Sequence, residues 1–245
     1  MDEQIQPILQ ALQEFFLSTA PLSPEVDNTL NLLVFFVQWS AIILSALTGL
    51  YAARKHGMDF YGSLVIAFVV ALGGGTIRDV LLGRYPIFWL AEPVNAVTVL
   101  VIALLSILVG REAKRSQTAA RVAQPVQRIT DDQSMVYLII DSLALGLWAY
   151  LGTIYALQMG TPPVVAPIMG VITASFGGVL RDVFFARVPQ SFMPSQLYAA
   201  AAAAGAIVYV LLWELGLNST LSFLACFLLT FMIRMASVKF NIQSR

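Results

Sequence analysis

Residues 73–86, GGGTIRDVLLGRYP, return 103 positions later as residues 176–189, FGGVLRDVFFARVP. Seven of the fourteen positions are identical: Gly74 with Gly177, Gly75 with Gly178, Arg78 with Arg181, Asp79 with Asp182, Val80 with Val183, Arg84 with Arg187 and Pro86 with Pro189. Each copy closes the second of three consecutive apolar segments. Three is odd, so two such units joined in series must cross a bilayer in opposite senses, and the chain reads as an inverted repeat.

Apolar segments fall at about 30–53, 60–83, 92–110, 135–157, 163–186, 195–215 and 219–238. Each approaches the roughly 20 residues that cross a bilayer as helix. The predicted fold is an all-α polytopic membrane protein of seven spans, two inverted three-helix repeats and an unpaired seventh helix. Its parts are an acidic extracytoplasmic tail (1–29), a first repeat (30–110), a cytoplasmic linker (111–134), a second repeat (135–215), and a seventh helix with a cytoplasmic tail (216–245). The tail carries Asp2, Glu3, Glu14, Glu25 and Asp27 and no Lys or Arg, so it lacks a secretory n-region. Ile5, Ile8, Leu9, Leu12, Phe15 and Phe16 recur there at helical spacing, which fits either a short amphipathic helix or a partly ordered tail ending at Pro21 and Pro24.

Positive charge sets the orientation. With the N-terminus outside, Arg54, Lys55, Arg111, Lys114, Arg115, Arg121, Arg128, Arg187, Arg234, Lys239 and Arg245 lie inside, Arg84 alone lies outside, and Arg78 and Arg181 fall within spans. The expectation is N-out and C-in.

Composition supports a membrane protein and removes other classes. Of 245 residues, 58% are hydrophobic and 11% charged, and 14 basic residues balance 14 acidic ones. No net basic field invites nucleic acid. One cysteine, Cys226, and one histidine, His56, leave no disulfide framework and no clustered zinc site. HExxH and GxSxG are absent. The first repeat has a soluble lookalike in the GG-x-x-RD signature of nucleotidyltransferases that add CCA to transfer RNA. That chemistry needs two metal-binding aspartates soon afterwards, and Ile87, Phe88, Trp89 and Leu90 stand there instead. The chain is not read as an enzyme.

The candidate site grows from the glycines. Span two enters at about Phe60 and reaches Gly73 after 13 residues, and span five enters at about Pro163 and reaches Gly177 after 14. At 1.5 Å per residue both clusters lie roughly 20 Å deep in a core of about 30 Å, so they should meet near mid-membrane. Gly73, Gly74 and Gly75 each cost a helix roughly 1 kcal/mol relative to alanine. One reading is a kink whose freed carbonyls transiently hold a potassium ion; the other is close helix packing through small residues.

Arg78, Asp79, Arg181 and Asp182 cost several kcal/mol in hydrocarbon unless paired or hydrated. Sequence neighbours on a helix point about 100° apart, so the expectation is the cross pairs Arg78 with Asp182 and Arg181 with Asp79. These are structural bridges or a gate. Asp141 stands without a basic neighbour in its segment, on a face with Ser142, Gly146, Ala149, Gly152 and Thr153. Its partner by offset is the neutral Gln38. It reads as part of a water-accessible pathway or as a capped interfacial carboxylate. Thr76, Ser45, Thr48, Thr173 and Ser175 lie near the glycines, where hydroxyls commonly bond back to their own helix. The six alanines 199–204 before Gly205 form a smooth packing face. Trp89 and Trp213 fall near span ends, as interface anchors do.

The tandem GGGTIRDVLLG and FGGVLRDVFF motifs, with the D-x-x-x-x-GL pattern at Asp141, Gly146 and Leu147, resemble the prokaryotic branch of the trimeric intracellular cation channel (TRIC) family, which overlaps proteins described as glycine transporters. The resemblance spans about residues 30–238. It implies a homotrimer in the lipid bilayer, each protomer holding its own pore lined by kinked second and fifth helices and permeable to potassium. It implies no cofactor beyond the permeant ion and possible bound lipid. Phe176 stands where the first copy has Gly73, so a carbonyl site would be asymmetric. Two rivals remain open: a carrier for glycine or another small zwitterion, whose carboxylate the arginines would bind, and an assembly protein without transport of its own.

Overall fold

The computed structural model describes residues 28–115, 135–193 and 197–242. The expectations for the acidic tail up to residue 27 and for most of the linker fall outside the described residues. Eight helices are described: α1 (Asn28–Lys55), α2 (Phe60–Leu82), α3 (Phe88–Ala91), α4 (Pro93–Arg115), α5 (Met135–Gln158), α6 (Val165–Phe184), α7 (Tyr198–Glu214) and α8 (Ser219–Lys239). A 3-10 turn spans Gln190–Phe192. Every apolar segment read from the sequence coincides with a helix. The single turn α3 has no counterpart among those segments, and α4 runs on to Arg115 rather than stopping at the expected linker boundary.

Among the described residues, five helices are long and apolar enough to cross a bilayer: Leu32–Lys55 within α1, then α2, α5, α6 and α8. The apolar stretches Pro93–Ser106 and Tyr198–Glu214 are shorter. Local chemistry sets several ends. The Asp59 carboxylate accepts from the Gly62 amide at 2.7 Å and caps α2, and Asn218 does the same for Thr220 at the start of α8. Gly83, at φ +65°, ends α2 in the left-handed conformation that a side chain would resist. Pro93 opens α4, where its missing N–H costs nothing.

The helices form two groups. α1 packs on α2 and α4, α5 packs on α6 and α7, and the groups meet where α2 crosses α6 and α1 crosses α5. α8 packs on α5 and α7. The innermost helix is α5, buried on nearly every face from Ala144 to Ala156. Phe36, Leu104, Leu211 and Met232 point outward. An apolar exterior around a helical interior is what a lipid solvent selects, because backbone polar groups must be satisfied inside the segment.

Candidate functional site

At the crossing of α2 and α6, the glycines do the work of spacing. A Cβ on Gly74 would collide with the carbonyl oxygen of Thr173, and one on Gly177 with that of Val70. The two contacts are the same contact shifted by 103 residues. A second pair repeats the pattern: a Cβ on Gly49 would sit 3.1 Å from the Ile66 carbonyl oxygen, and one on Gly152 would sit 2.6 Å from that of Met169.

A break that would free the carbonyls at these glycines is not found. Both helices run unbroken through Gly73–Gly75 and Gly177–Gly178, and the positive-φ glycines are Gly57, Gly83, Gly160 and Gly216, at turns. A helix that stays intact keeps its carbonyls in the i to i−4 ladder. The glycine cost in helix propensity is offset by backbone contact that no larger residue permits. Gly73 and Gly75 are likewise covered, by Leu180 and by the Phe88 ring.

Beside the crossing lies a cavity of about 20 Å³, above the roughly 10–15 Å³ that one water needs. Its polar lining is Ser45, Thr48, Asp141, Trp148, Thr173, Arg181 and Tyr198, with Gly74, Gly177 and Gly178 on its wall. The structure thus brings Asp141 to the glycine crossing. It also supplies the basic neighbours that its own helix lacks: Arg181 from α6 and Arg234 from α8 act on its carboxylate, and Tyr198 of α7 hydrogen-bonds to it. Ser142 turns away from the cavity and bonds back to the Leu138 carbonyl at 2.5 Å. Thr48, Thr76, Thr173 and Ser175 also bond back to their helices. Ser45 is the exception, since its Oγ accepts from the Trp148 indole N–H at 2.9 Å.

The charged pairs differ from the expected cross pairs. Arg78 Nε and Nη2 both reach Asp79 Oδ1 at 2.8 Å, and Arg181 reaches Asp182 the same way, at 2.9 and 2.8 Å. The arginine stem is long enough to swing a guanidinium round to the adjacent carboxylate, which the helical-wheel argument ignores. The two pairs have different surroundings. Arg78 is wholly buried, with its guanidinium carbon 4.3 Å from the Tyr155 ring centroid and 5.3 Å from that of Phe88. Asp79 also accepts from Arg84 Nη1 at 3.3 Å and from the Phe88 amide at 2.8 Å. Arg181 lines the cavity and donates to the Tyr137 hydroxyl at 3.3 Å. Of the four charged residues named from the motif, only Arg181 faces the cavity.

Sequence reasoning missed Trp148, Tyr198 and Arg234. The hydrogen bond from Trp148 to Ser45 spans the repeat offset, so pairing every residue with its counterpart would have singled it out.

A family model described as Glycine transporter matches the chain twice, over residues 35–111 and 138–214, the same 103-residue offset. The inner membrane protein YadS of Escherichia coli K12 is 27% identical over 213 residues, covering 86% of this chain and 95% of its own length. A UPF0126 membrane protein of Deinococcus radiodurans is 31% identical over 166 residues, covering 67% and 69%. Among solved structures, the TRIC trimeric intracellular cation channel orthologue from Rhodobacter sphaeroides superposes with a TM-score of 0.72 at 32% identity, over 86% of this chain and 99% of that one. A prokaryotic TRIC channel crystallised in 0.5 M KCl gives 0.69 at 26% identity, over 85% and 97%. This chain is a multi-pass membrane protein, not an enzyme, and it belongs to the family described as Glycine transporter and, with these solved relatives, to the prokaryotic branch of the trimeric intracellular cation channel family.

Proposed function

We propose that the protein is a potassium-permeable cation channel, a homotrimer in the bilayer with one pore through each protomer. The observation that carries this reading is the cavity at the α2–α6 crossing, which joins a half-buried carboxylate, Asp141, to hydroxyls from α1 and α6. A carboxylate and hydroxyl oxygens are the hard ligands that an alkali cation exchanges for water. With α2 helical through Gly73–Gly75, the partners of a passing potassium ion are Asp141, Ser45 and Thr48 rather than freed glycine carbonyls.

The architecture behind it is seven spans, N-out and C-in, arranged as two inverted repeats and a seventh helix. The glycine contacts duplicated at the 103-residue offset support this, as does the doubled match of the family model. A two-fold axis in the membrane plane would generate both. Arg181 does not bar cations on this reading, because Asp182 and Asp141 offset its charge.

Arg181 also favours a second reading, a carrier that binds the carboxylate of glycine. The arginine to test is Arg181 rather than Arg78, which is sealed away from the cavity. A space fit for one water is small for an amino acid, so a carrier must expand here. The test is potassium-gradient discharge against labelled-glycine uptake in one proteoliposome preparation. A potassium leak that does not saturate and falls several-fold in Asp141→Asn supports the channel. Saturable glycine accumulation abolished by Arg181→Ala, without potassium conductance, overturns it.

A further inference from the structure

Among the described residues, four charges meet around the central cavity. Asp141 and Arg181 line it, Asp182 pairs with Arg181, and Arg234 of α8 acts on the Asp141 carboxylate. The Arg234 guanidinium carbon lies 5.1 Å from the centroid of the Tyr198 ring, and the Tyr198 hydroxyl donates to Asp141. Arg234 is 8% exposed. One aromatic ring thus seats a guanidinium beside the carboxylate on which the channel reading places a passing cation.

The four charges divide into two pairs of different origin. Arg181 and Asp182 are neighbours on α6, and 103 residues earlier Arg78 and Asp79 are bound to each other in the same way. Asp141 and Arg234 belong to no such pattern. The position 103 residues before Asp141 is Gln38, and α8 lies beyond both segments matched by the family model, 35–111 and 138–214. A carboxylate without a charged counterpart in the first half is therefore met by a guanidinium from the helix outside the repeated segments. Arg234 also differs from Arg78 in its surroundings. Arg78 is wholly buried among Phe88, Tyr155 and Asp79, whereas Arg234 sits five residues before the exposed Lys239 that ends α8. At 1.5 Å per residue that is roughly 7.5 Å from the helix end, a distance an arginine stem covers by snorkelling to an interface. The charge of Arg234 has a hydrated alternative to Asp141, and that of Arg78 has none.

We propose that Arg234 is a tethered competitor of the permeant cation: its guanidinium and a potassium ion contend for Asp141, so Arg234 sets how tightly the cavity holds potassium. The proposal rests on the channel reading for the identity of the ion. The competition is reciprocal, since a bound potassium ion weakens the hold of Asp141 on Arg234 by the factor by which Arg234 weakens potassium. Coupling of this kind is about 5- to 150-fold, so loss of the guanidinium should lower the potassium concentration for half occupancy about tenfold. Arg181 cannot take over the role, because Asp182 holds its guanidinium at 2.8 Å.

Occupancy can be read without flux, as thermal stabilisation of the purified protein by potassium chloride at an ionic strength held constant with N-methyl-D-glucamine chloride. The midpoint should be about tenfold lower in Arg234→Gln than in wild type. Arg234→Lys keeps a charge but loses the planar face on Tyr198, so its midpoint should fall by less, and it covers the case in which the glutamine variant fails to fold. Asp141→Asn should abolish the potassium dependence with or without Arg234. In proteoliposomes at low potassium, Arg234→Gln should conduct several-fold more than wild type. A guanidinium that only neutralises Asp141 for folding predicts the opposite: lower Tm and lower flux, with the midpoint unmoved. An unmoved midpoint, a shift that survives Asp141→Asn, or no potassium dependence in wild type and variants alike overturns the competitor, whatever the flux. A tenfold shift without flux in any variant supports the competitor and overturns the channel reading instead.

Discussion

The α2–α6 crossing can be tested by adding one methyl group. In Gly74→Ala the new Cβ falls onto the Thr173 carbonyl oxygen, a backbone atom that cannot rotate out of the way. Overpacking of this kind costs about 1–3 kcal/mol, and a rigid neighbour puts it at the upper end. Alanine returns about 1 kcal/mol of helix propensity. The net loss is about 2 kcal/mol, or about 4–8 °C in apparent Tm for a chain of this size. Gly178→Ala is the matched control. Its Cβ would meet only Arg181 Nη2, at 3.9 Å, so the propensity gain stands alone and Tm should hold or rise. Thermal unfolding in detergent, followed by tryptophan fluorescence, distinguishes the two. If both variants fall together, the glycines are needed for backbone conformation rather than spacing. If Gly74→Ala is silent, the backbones are not in contact at this crossing.

Asp79→Asn leaves the fully buried Arg78 without its counter-charge and should cost about 3–5 kcal/mol, read as a Tm loss well beyond that of Asp182→Asn, because Arg181 keeps Asp141 nearby. Trp148→Phe removes the donor to Ser45 and should cost about 1 kcal/mol in the same assay, with altered potassium flux because both residues line the cavity.

How much of this was legible follows from what each signal depends on. Span positions depend on apolar runs about 20 residues long, and those are local, so the helices fall where the sequence put them. The meeting of Gly74 with Gly177 follows from their equal depth and from the repeat, both readable without coordinates. The pairing of the arginines was not readable, because it turns on side-chain torsions that a helical wheel omits. The companions of Asp141 come from α6, α7 and α8, and no local pattern announces a partner 93 residues away, as Arg234 is. Phe88 falls between the second and third apolar segments and Glu92 at the start of the third, and the sequence reading gave neither a role. Their contacts form only when this segment folds back onto Asp79 and Gln38.

The two halves share a plan and differ in what surrounds their charged pairs. By the 103-residue offset, Gln38 corresponds to Asp141, Asn95 to Tyr198, and the Arg78–Asp79 pair to Arg181–Asp182. In the first half the counterpart of Asp141 is neutral, Arg78 is sealed by aromatic rings, and the Phe88 amide donates to Asp79. In the second half the same position carries a carboxylate, and Arg181 stands at the wall of the cavity. Duplication alone would have made the ends alike. The scaffold that repeats at the 103-residue offset instead packs aromatic rings around Arg78 in one half and gathers charged groups around Asp141 in the other. On the channel reading proposed above, a path through this scaffold would meet packed aromatic rings in one half and fixed charges in the other.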